Sequence, residues 1–419
     1  MLHWSFNLNP NRFCPELSLP ALESGADAAL AQLADLGATG VRVDLFWHWL
    51  MPAPGVVNHA AVRWYRDFFA EVDRRGWGVF ALLYHPPAWA MALLERDEAA
   101  FVAAWEDFCR LVAKELGPLL SVVQVWNEPN NFLASLKADP VLFHTRRVAG
   151  KNVPTGVRWE TLASLFRVAK STLPAHALVT YNVLTNLSPF LPFRGTWLNW
   201  EHFTDRFMAM AGDAVDVIAL DHYPDTWAPG TGPLEWACLD VAAAKVADPA
   251  SSWHGKTVIV GEAGYSNAPN FHLIERPFKW GRFFPNERSE DSMAGWYAAA
   301  MSHLAATLTP ERFPANKLFM ANVYELYDAP QPVGSHPALA LEDHFGLVRR
   351  DGARKPAFEV MQAITCGDRF DPAAAPAANP PGYWKVAEFG QRFQARAGEW
   401  VERVVAQEKV QSSTFKVQS

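Results

Sequence analysis

Short, almost continuously apolar runs alternate with longer stretches whose apolar residues recur at spacings of three and four, and the alternation repeats eight times. The runs are Leu2–Leu8, Val41–Trp47, Val79–His85, Val122–Asn127, Leu178–Leu184, Val215–Tyr223, Val258–Ala263 and Leu318–Leu326. Unbroken hydrophobicity such as VIVGEA or VFALLY suits a parallel strand buried on both faces. The stretches between (AALAQLADLG, VRWYRDFFAEVDRRG, AAFVAAWEDFCRLVAKELG and TLASLFRVAK among them) each carry one apolar stripe, the mark of a helix laid on a sheet. Gly37, Gly76 and Gly117 follow three of these helices, where a left-handed cap residue is wanted. Regular alternation implies parallel βαβ units, and eight of them imply an α/β fold closed as a (β/α)8 TIM barrel. An open doubly wound sheet is disfavoured, because no GxGxxG follows the first strand.

The barrel pattern occupies residues 1–365 of the 419. A Pro/Ala-rich linker over 366–383 (DPAAAPAANPPG) follows, then a C-terminal helical extension and tail over 384–419, with its amphipathic stretch at Lys385–Gln407. Two connections inside the barrel are long. One runs from Asn130 to about Val157; the other runs from Ser266 to about Ser289 and carries Phe271, Phe278, Trp280, Phe283 and Phe284. Both follow strand C-termini, the face on which barrel enzymes build their sites.

Composition narrows the function. A net charge of −7 lacks the clustered positive charge that a nucleic-acid surface needs. No apolar run approaches the ~20 residues of a membrane span. The first residues show no basic-then-apolar leader, so a cytoplasmic location is expected. Cys14, Cys109, Cys238 and Cys366 form no CxxC pair and read as free thiols of a reducing compartment. HExxH, a Walker loop and a tight His/Asp cluster are all missing, so no metal or cofactor is expected; EDH at Glu342–His344 resembles a ligand triplet only superficially. The 18 tryptophans favour stacking on flat sugar faces, though tryptophan also fills cores.

Two motifs carry chemistry. In VVQVWNEPN an apolar strand ends in Trp-Asn-Glu-Pro, which delivers Glu128 to the catalytic rim while Pro129 stops the strand. Aromatic surroundings favour a protonated carboxyl there, suited to donating a proton. In TVIVGEAGYS a second buried strand ends in Glu262, flanked by glycines that admit a substrate. The fourth and seventh strands face one another across a barrel. Two carboxyl groups there can flank a glycosidic bond, and a separation of ~5–5.5 Å means retention through a covalent intermediate.

These motifs resemble clan A glycoside hydrolases, and within that clan family 39, with family 5 next. The resemblance covers Leu2 to about Thr365 and implies Glu128 as acid/base and Glu262 as nucleophile. It further implies that Arg42 braces the nucleophile, that Asn127 hydrogen-bonds the sugar 2-hydroxyl and that Tyr223 hydrogen-bonds the nucleophile. His85 ends the third strand as either a sugar-binding or a satisfied core histidine. His222 stands where the family-5-like His-x-Tyr becomes Asp-His-Tyr, and Tyr327 stands where a tryptophan platform is usual. Glu325 reads better as a structural ion pair than as a third rim carboxylate. Trp47, Trp89, Trp126, Trp227 and Trp280 fall at strand ends or in rim loops, and at least two are expected to line subsites. The implied partner is a carbohydrate, cleaved at β-glycosidic bonds in an exo or endo manner. A transglycosylase or a sugar-binding barrel without hydrolysis are the alternatives.

Overall fold

The computed structural model describes residues 2–14, 18–130, 142–148, 151–185, 200–224, 226, 232–268, 288–330 and 341–370. The eight apolar runs form eight parallel strands: β1 His3–Asn7, β2 Gly40–Phe46, β3 Gly78–Tyr84, β4 Val122–Val125, β5 Leu178–Leu184, β6 Val217–Asp221, β7 Thr257–Ala263 and β8 Met320–Val323. They close in sequence order, β1 pairing with both β2 and β8, and helices are interleaved between them, giving the (β/α)8 barrel. β1, β4, β6 and β8 are shorter than their apolar runs, while the other four match theirs to within a residue in length.

Two cores result. The larger joins strand residues to the helices outside. A smaller one is made of strand residues alone (Phe80, Val122, Val217, Ala219, Ile259 and Met320) and fills the lower barrel. Above it the interior turns polar: Ser5, Asn7, Arg42, Gln124, Asn182, Asp221 and Asn322 are all buried. An apolar plug carrying a polar floor is what a barrel needs to hold charged groups at its mouth without leaking water through its base.

The aromatic helices pack as their stripes require. Helix His59–Arg74 is N-capped by Asn58, whose side chain accepts the Ala61 N–H, and buries Trp64, Tyr65, Phe68 and Phe69. Helix Glu98–Glu115 buries Phe101, Trp105 and Phe108 around Trp47. Gly37 and Gly76 adopt the left-handed cap conformation, at φ 67° and 72°. Gly117 does not: it opens a short 3-10 turn, and a Cβ there would lie 2.8 Å from Pro174 Cγ, so close packing is what requires the glycine.

The connection after β4 contains an element its hydrophobicity did not announce, an antiparallel hairpin of Leu142–Val148 with Lys151–Val157. The last described helix is Pro356–Thr365. Most of the linker and the whole C-terminal extension lie outside the described residues, as do the five aromatic residues of the loop after β7. Among the described residues no helix is long and apolar enough to cross a membrane.

At the rim, the segments that follow β7 and β8 pack closely at two glycines. A Cβ on Gly264 would fall 1.9 Å from the Tyr324 carbonyl oxygen, and one on Gly346 would fall 2.0 Å from the Asp328 backbone nitrogen. Neither backbone can retreat cheaply. Gly346→Ala is therefore expected to destabilise the chain by ~2–3 kcal/mol, the scale of overpacking in a tight interior. A thermal melt indistinguishable from that of the native sequence would show that this junction is looser than described.

Candidate active site

β4 ends at Val125, and the chain then takes two left-handed steps, Trp126 at φ 67° and Glu128 at φ 37°. Left-handed backbone in residues other than glycine costs roughly 1–3 kcal/mol each and persists only where neighbours hold it. Three amide side chains do so. Gln124 Nε2 donates to the Trp126 carbonyl (2.9 Å), and Asn182 Oδ1 accepts the Glu128 N–H (2.7 Å). Asn130 exchanges two hydrogen bonds with the Leu184 backbone on β5. The Glu128 carboxyl is thereby carried to the mouth, half-buried.

Glu262 arrives by a different device. On β7 Ile259 faces the barrel interior and Val260 the outer core. Gly261 faces inward again, since its Cβ position lies 2.9 Å from Ala219 Cβ. Strict alternation would then turn Glu262 outward. The register shifts here on both sides of β7, as in a bulge, so Asp221 pairs with Glu262 and Gly261 is passed over. Such an irregularity re-aims a side chain, and Glu262 points into the mouth, 6% exposed.

There the Arg42 guanidinium reaches Glu262 Oε1 at 2.6 Å, and the Tyr223 hydroxyl donates to Oε2. Burial pushes the Glu262 carboxyl above its usual value, while Arg42 and Tyr223 pull it back. Burial opposes the charge on Arg42, but Glu262, with Asp44 and Asp221 behind it, outweighs it and holds the guanidinium charged. Burial, and then the Glu262 charge, push the Tyr223 hydroxyl well above its ordinary range, so it remains a donor. Arg42 is itself held by Asn7 Oδ1 (2.8 Å) and by Gln124 Oε1 (3.0 and 3.3 Å). Donors from Arg42, Gln124 and Asn182 converge on one atom of the Asn127 side chain, which must be its oxygen; the Asn127 amide nitrogen is left to donate elsewhere.

The fold thus brings Glu128, Glu262, Arg42, Asn127 and Tyr223 together. His85 stands at the edge of the same mouth, its Nε2 2.9 Å from Asp44 Oδ2. Other expected positions fall elsewhere. Trp126 is buried, edge-on to Tyr84. Trp47 lies inside the helix-side aromatic cluster, and Trp89 packs edge-on against it with its indole N–H on the Met51 carbonyl. Trp47 is fully buried and presents no open face, whereas Trp89 is half-buried. Trp227 and Trp280 lie outside the described residues.

His222 points away from Tyr223, its neighbour in sequence, and is buried against Thr185, Glu235 and Trp236. Tyr327 packs on the outer core, bridged to Val348. Tyr324, the first residue beyond β8, meets Tyr223 with ring centroids 6.1 Å apart, and Phe345 meets it at 5.6 Å. Glu325 pairs with Arg12 at 2.8 Å, and burial raises its carboxyl to about 8 against that pairing. Tyr324 links the same cluster to Glu342, accepting from Arg12 and donating to the Glu342 carboxylate.

Sequence reading missed the floor of the site, Gln124 and Asn182, whose only signal was a polar residue inside an apolar strand. It also missed Asp221. One carboxylate oxygen from each of Glu128, Asp221 and Glu262 lies within 4.8 Å of the other two. Three acidic ligand atoms so placed resemble a cation site, but both Glu262 oxygens already serve Arg42 and Tyr223. The set fits a metal poorly.

The His222 environment is testable without a substrate. Burial opposes charge on its ring, but Cys238 and Glu235 outweigh it and raise it to about 10. Its stabilising contribution is complete below the ~6.5 of a free imidazole and is lost as the pH rises through about 10. The stability gap between the native chain and His222→Asn should therefore narrow across that window, measured by denaturant melts at either end. A constant gap would mean a neutral His222.

No family model matches the sequence, and no curated protein sequence matches it. Solved structures match over most of the chain. GH5_18 from Bifidobacterium longum subsp. longum, in complex with Manβ1-4GlcNAc, shares 16% identity at a TM-score of 0.58, covering 94% of this chain and 89% of that one. A hyperthermophilic β-glucosidase from Pyrococcus furiosus shares 12% at 0.58, covering 92% and 97%. An exo-β-1,4-mannosidase from Opitutaceae bacterium strain TAV5 shares 17% at 0.56, covering 87% of this chain and 59% of its own length. At such identities the likeness is one of fold: this chain has the (β/α)8 barrel on which those glycosidases are built.

Proposed function

We propose that the protein is a retaining clan A glycoside hydrolase acting on β-glycosides, with Glu128 as acid/base and Glu262 as nucleophile. One observation carries the reading. The two carboxyl groups approach within 4.8 Å at the C-terminal ends of β4 and β7, and one of them is braced by a guanidinium and a tyrosine hydroxyl. That oxygen–oxygen approach supports the retaining reading, in which the two carboxyl groups are ~5–5.5 Å apart.

In the first step Glu262, ionised against Arg42, attacks the anomeric carbon. Glu128 gives its proton to the departing oxygen, and the glycosidic bond breaks as the glycosyl ester forms. In the second step Glu128, now a carboxylate, takes a proton from water, and the hydroxyl adds to the same carbon from the face the leaving group vacated. Glu262 is released and the sugar leaves with net retention. The Asn127 amide is positioned to donate to a sugar hydroxyl, a contact that strengthens as charge develops.

The sugar is carried less far. Because GH5_18 neighbours hold Manβ1-4GlcNAc or GlcNAc, β-mannosides and β-glucosides are the first substrates to try, ahead of β-xylosides.

Incubation with a panel of 2-deoxy-2-fluoro β-glycosides, followed by intact-mass measurement, should show a covalent adduct mapping to Glu262. Glu262→Ala should lose turnover, and azide should restore a product of inverted configuration. Wild-type-like rates in that variant would remove the nucleophile assignment. Glu128→Ala should retain slow turnover on substrates with good leaving groups, which need little acid assistance.

The pH profile carries a further expectation. A nucleophilic carboxyl must be ionised, so activity falls as the pH drops through its pKa. Burial already raises Glu262 and Arg42 lowers it; Arg42→Met removes the lowering partner. The acid limb of kcat/KM should move to higher pH, with kcat down by at least ~100-fold, the cost typical of a lost preorganised charge contact. An unmoved acid limb would separate Arg42 from the ionisation of Glu262.

A further inference from the structure

Asp221 ends β6 fully buried in the barrel mouth. Asn182 Nδ2 donates to its Oδ2 at 2.5 Å, while its Oδ1 meets no hydrogen-bond partner. Among the described residues no cation pairs with it. The charged and titratable groups that face it are Glu128 from the turn after β4, Glu262 from β7, Arg42 from β2 and the Tyr223 hydroxyl just past β6. Arg42 is already committed to Glu262, and the two glutamates are carboxyl groups within 4.8 Å. The space for Asp221 is made by Gly261, where a Cβ would lie 2.6 Å from Asp221 Oδ1.

Two like charges at this range in a dry site are prohibitive unless one is neutralised. Among the described residues, the guanidinium nearest to Asp221 is that of Arg42, and it is paired with Glu262. A buried carboxylate with one oxygen unpartnered is the least supported of the three.

We propose that Asp221 stands in the resting protein as the neutral carboxylic acid and serves as a positioning residue, acting through Asn182 on the acid/base turn. The assignment of charge is independent of the glycosidase reading; the effect on turnover rests on it. As an acid, Asp221 places its carbonyl oxygen on Asn182 Nδ2 and carries its proton on Oδ1, where no donor approaches. Asn182 is thereby oriented with its oxygen on the Glu128 N–H and its amide on Asn127. Asp221 sets the height of Glu128 and Asn127 while adding no charge beside them. Burial first, and then the charges of Glu262 and Glu128, push this carboxyl well above the ordinary range, in keeping with that state.

The substitution Asp221→Asn reproduces the neutral acid in shape and hydrogen bonding, so a difference infrared spectrum isolates the group. Native minus Asp221→Asn at neutral pH should show the C=O stretch of a carboxylic acid, shifting in D2O. Loss of a carboxylate stretching pair instead would overturn the proposal, and this measurement needs no substrate. On a substrate that the native enzyme turns over, Asp221→Asn should keep kcat within a few-fold. Asp221→Ala, which frees Asn182, should lose about a hundredfold, the scale of a catalytic group displaced by an ångström. Equal losses in the two variants would mean that the charge or the exchangeable proton of Asp221 is required, and would overturn the positioning role. If no glycoside is turned over at all, the function reading fails while the infrared result still decides the state of Asp221.

Discussion

The barrel mouth is organised around one buried ion pair, Arg42 with Glu262. Neither charge belongs in a protein interior alone. A buried pair broken by loss of one partner costs ~3–5 kcal/mol, because the survivor is left uncompensated. The pair is tolerable here because the remaining donors of Arg42 are used: Asn7 from β1 and Gln124 from β4 take its N–H groups, and Tyr223 takes the second oxygen of Glu262. Partners thus come from β1, β2, β4, β7 and the residues just past β6. Closure of the barrel and satisfaction of one guanidinium are the same structural condition.

From that anchor, polar groups spread sideways. Gln124 and Asn182 pass from Arg42 to Asn127, the Glu128 backbone and Asp221, each amide using both its oxygen and its nitrogen. Such a network is rigid only when its members are satisfied, and its rigidity offsets the left-handed backbone at Trp126 and Glu128. The strain lies in the segment that carries the acid/base candidate. Relief of that strain would withdraw the carboxyl from the mouth, so the amides below it serve geometry as much as stability.

The opposite wall is built on the same plan from different residues. Glu325 is fully buried against Arg12, and Tyr324 hands the hydrogen-bond chain on to Glu342. Among the described residues the mouth is therefore rich in carboxyl groups, and both Arg12 and Arg42 are shared between several partners. Acidic sites of this kind must keep some carboxyl groups protonated or tightly paired, which suits chemistry that needs one acid and one base at the same pH. The aromatic excess is mostly spent elsewhere, in the packing of Trp47, Trp105 and Phe108 between strands and helices.

The chain pattern alone determined the eight strand–helix units, the closed barrel they imply and the placement of Glu128 and Glu262 near strand ends. These depend on spacings within some tens of residues, which hydrophobic periodicity records directly. Arg42, Asn127 and Tyr223 came in through the resemblance to clan A glycoside hydrolases, matched by their places beside those ends. Tertiary structure decided the rest. Period-two reasoning would turn Glu262 outward, and only the register shift at Gly261, visible once β6 and β8 lie alongside, brings it in. The same alternation separates Tyr223 from His222 and sends the histidine behind the strand. Tyr324 displaces Tyr327 because β8 ends at Val323. Asp221 looked like one more polar residue at a strand end; its burial, its amide partner and its two acidic neighbours come from segments about forty to ninety residues away in sequence. Contacts of that kind are set by closure of the barrel, and no local pattern encodes them.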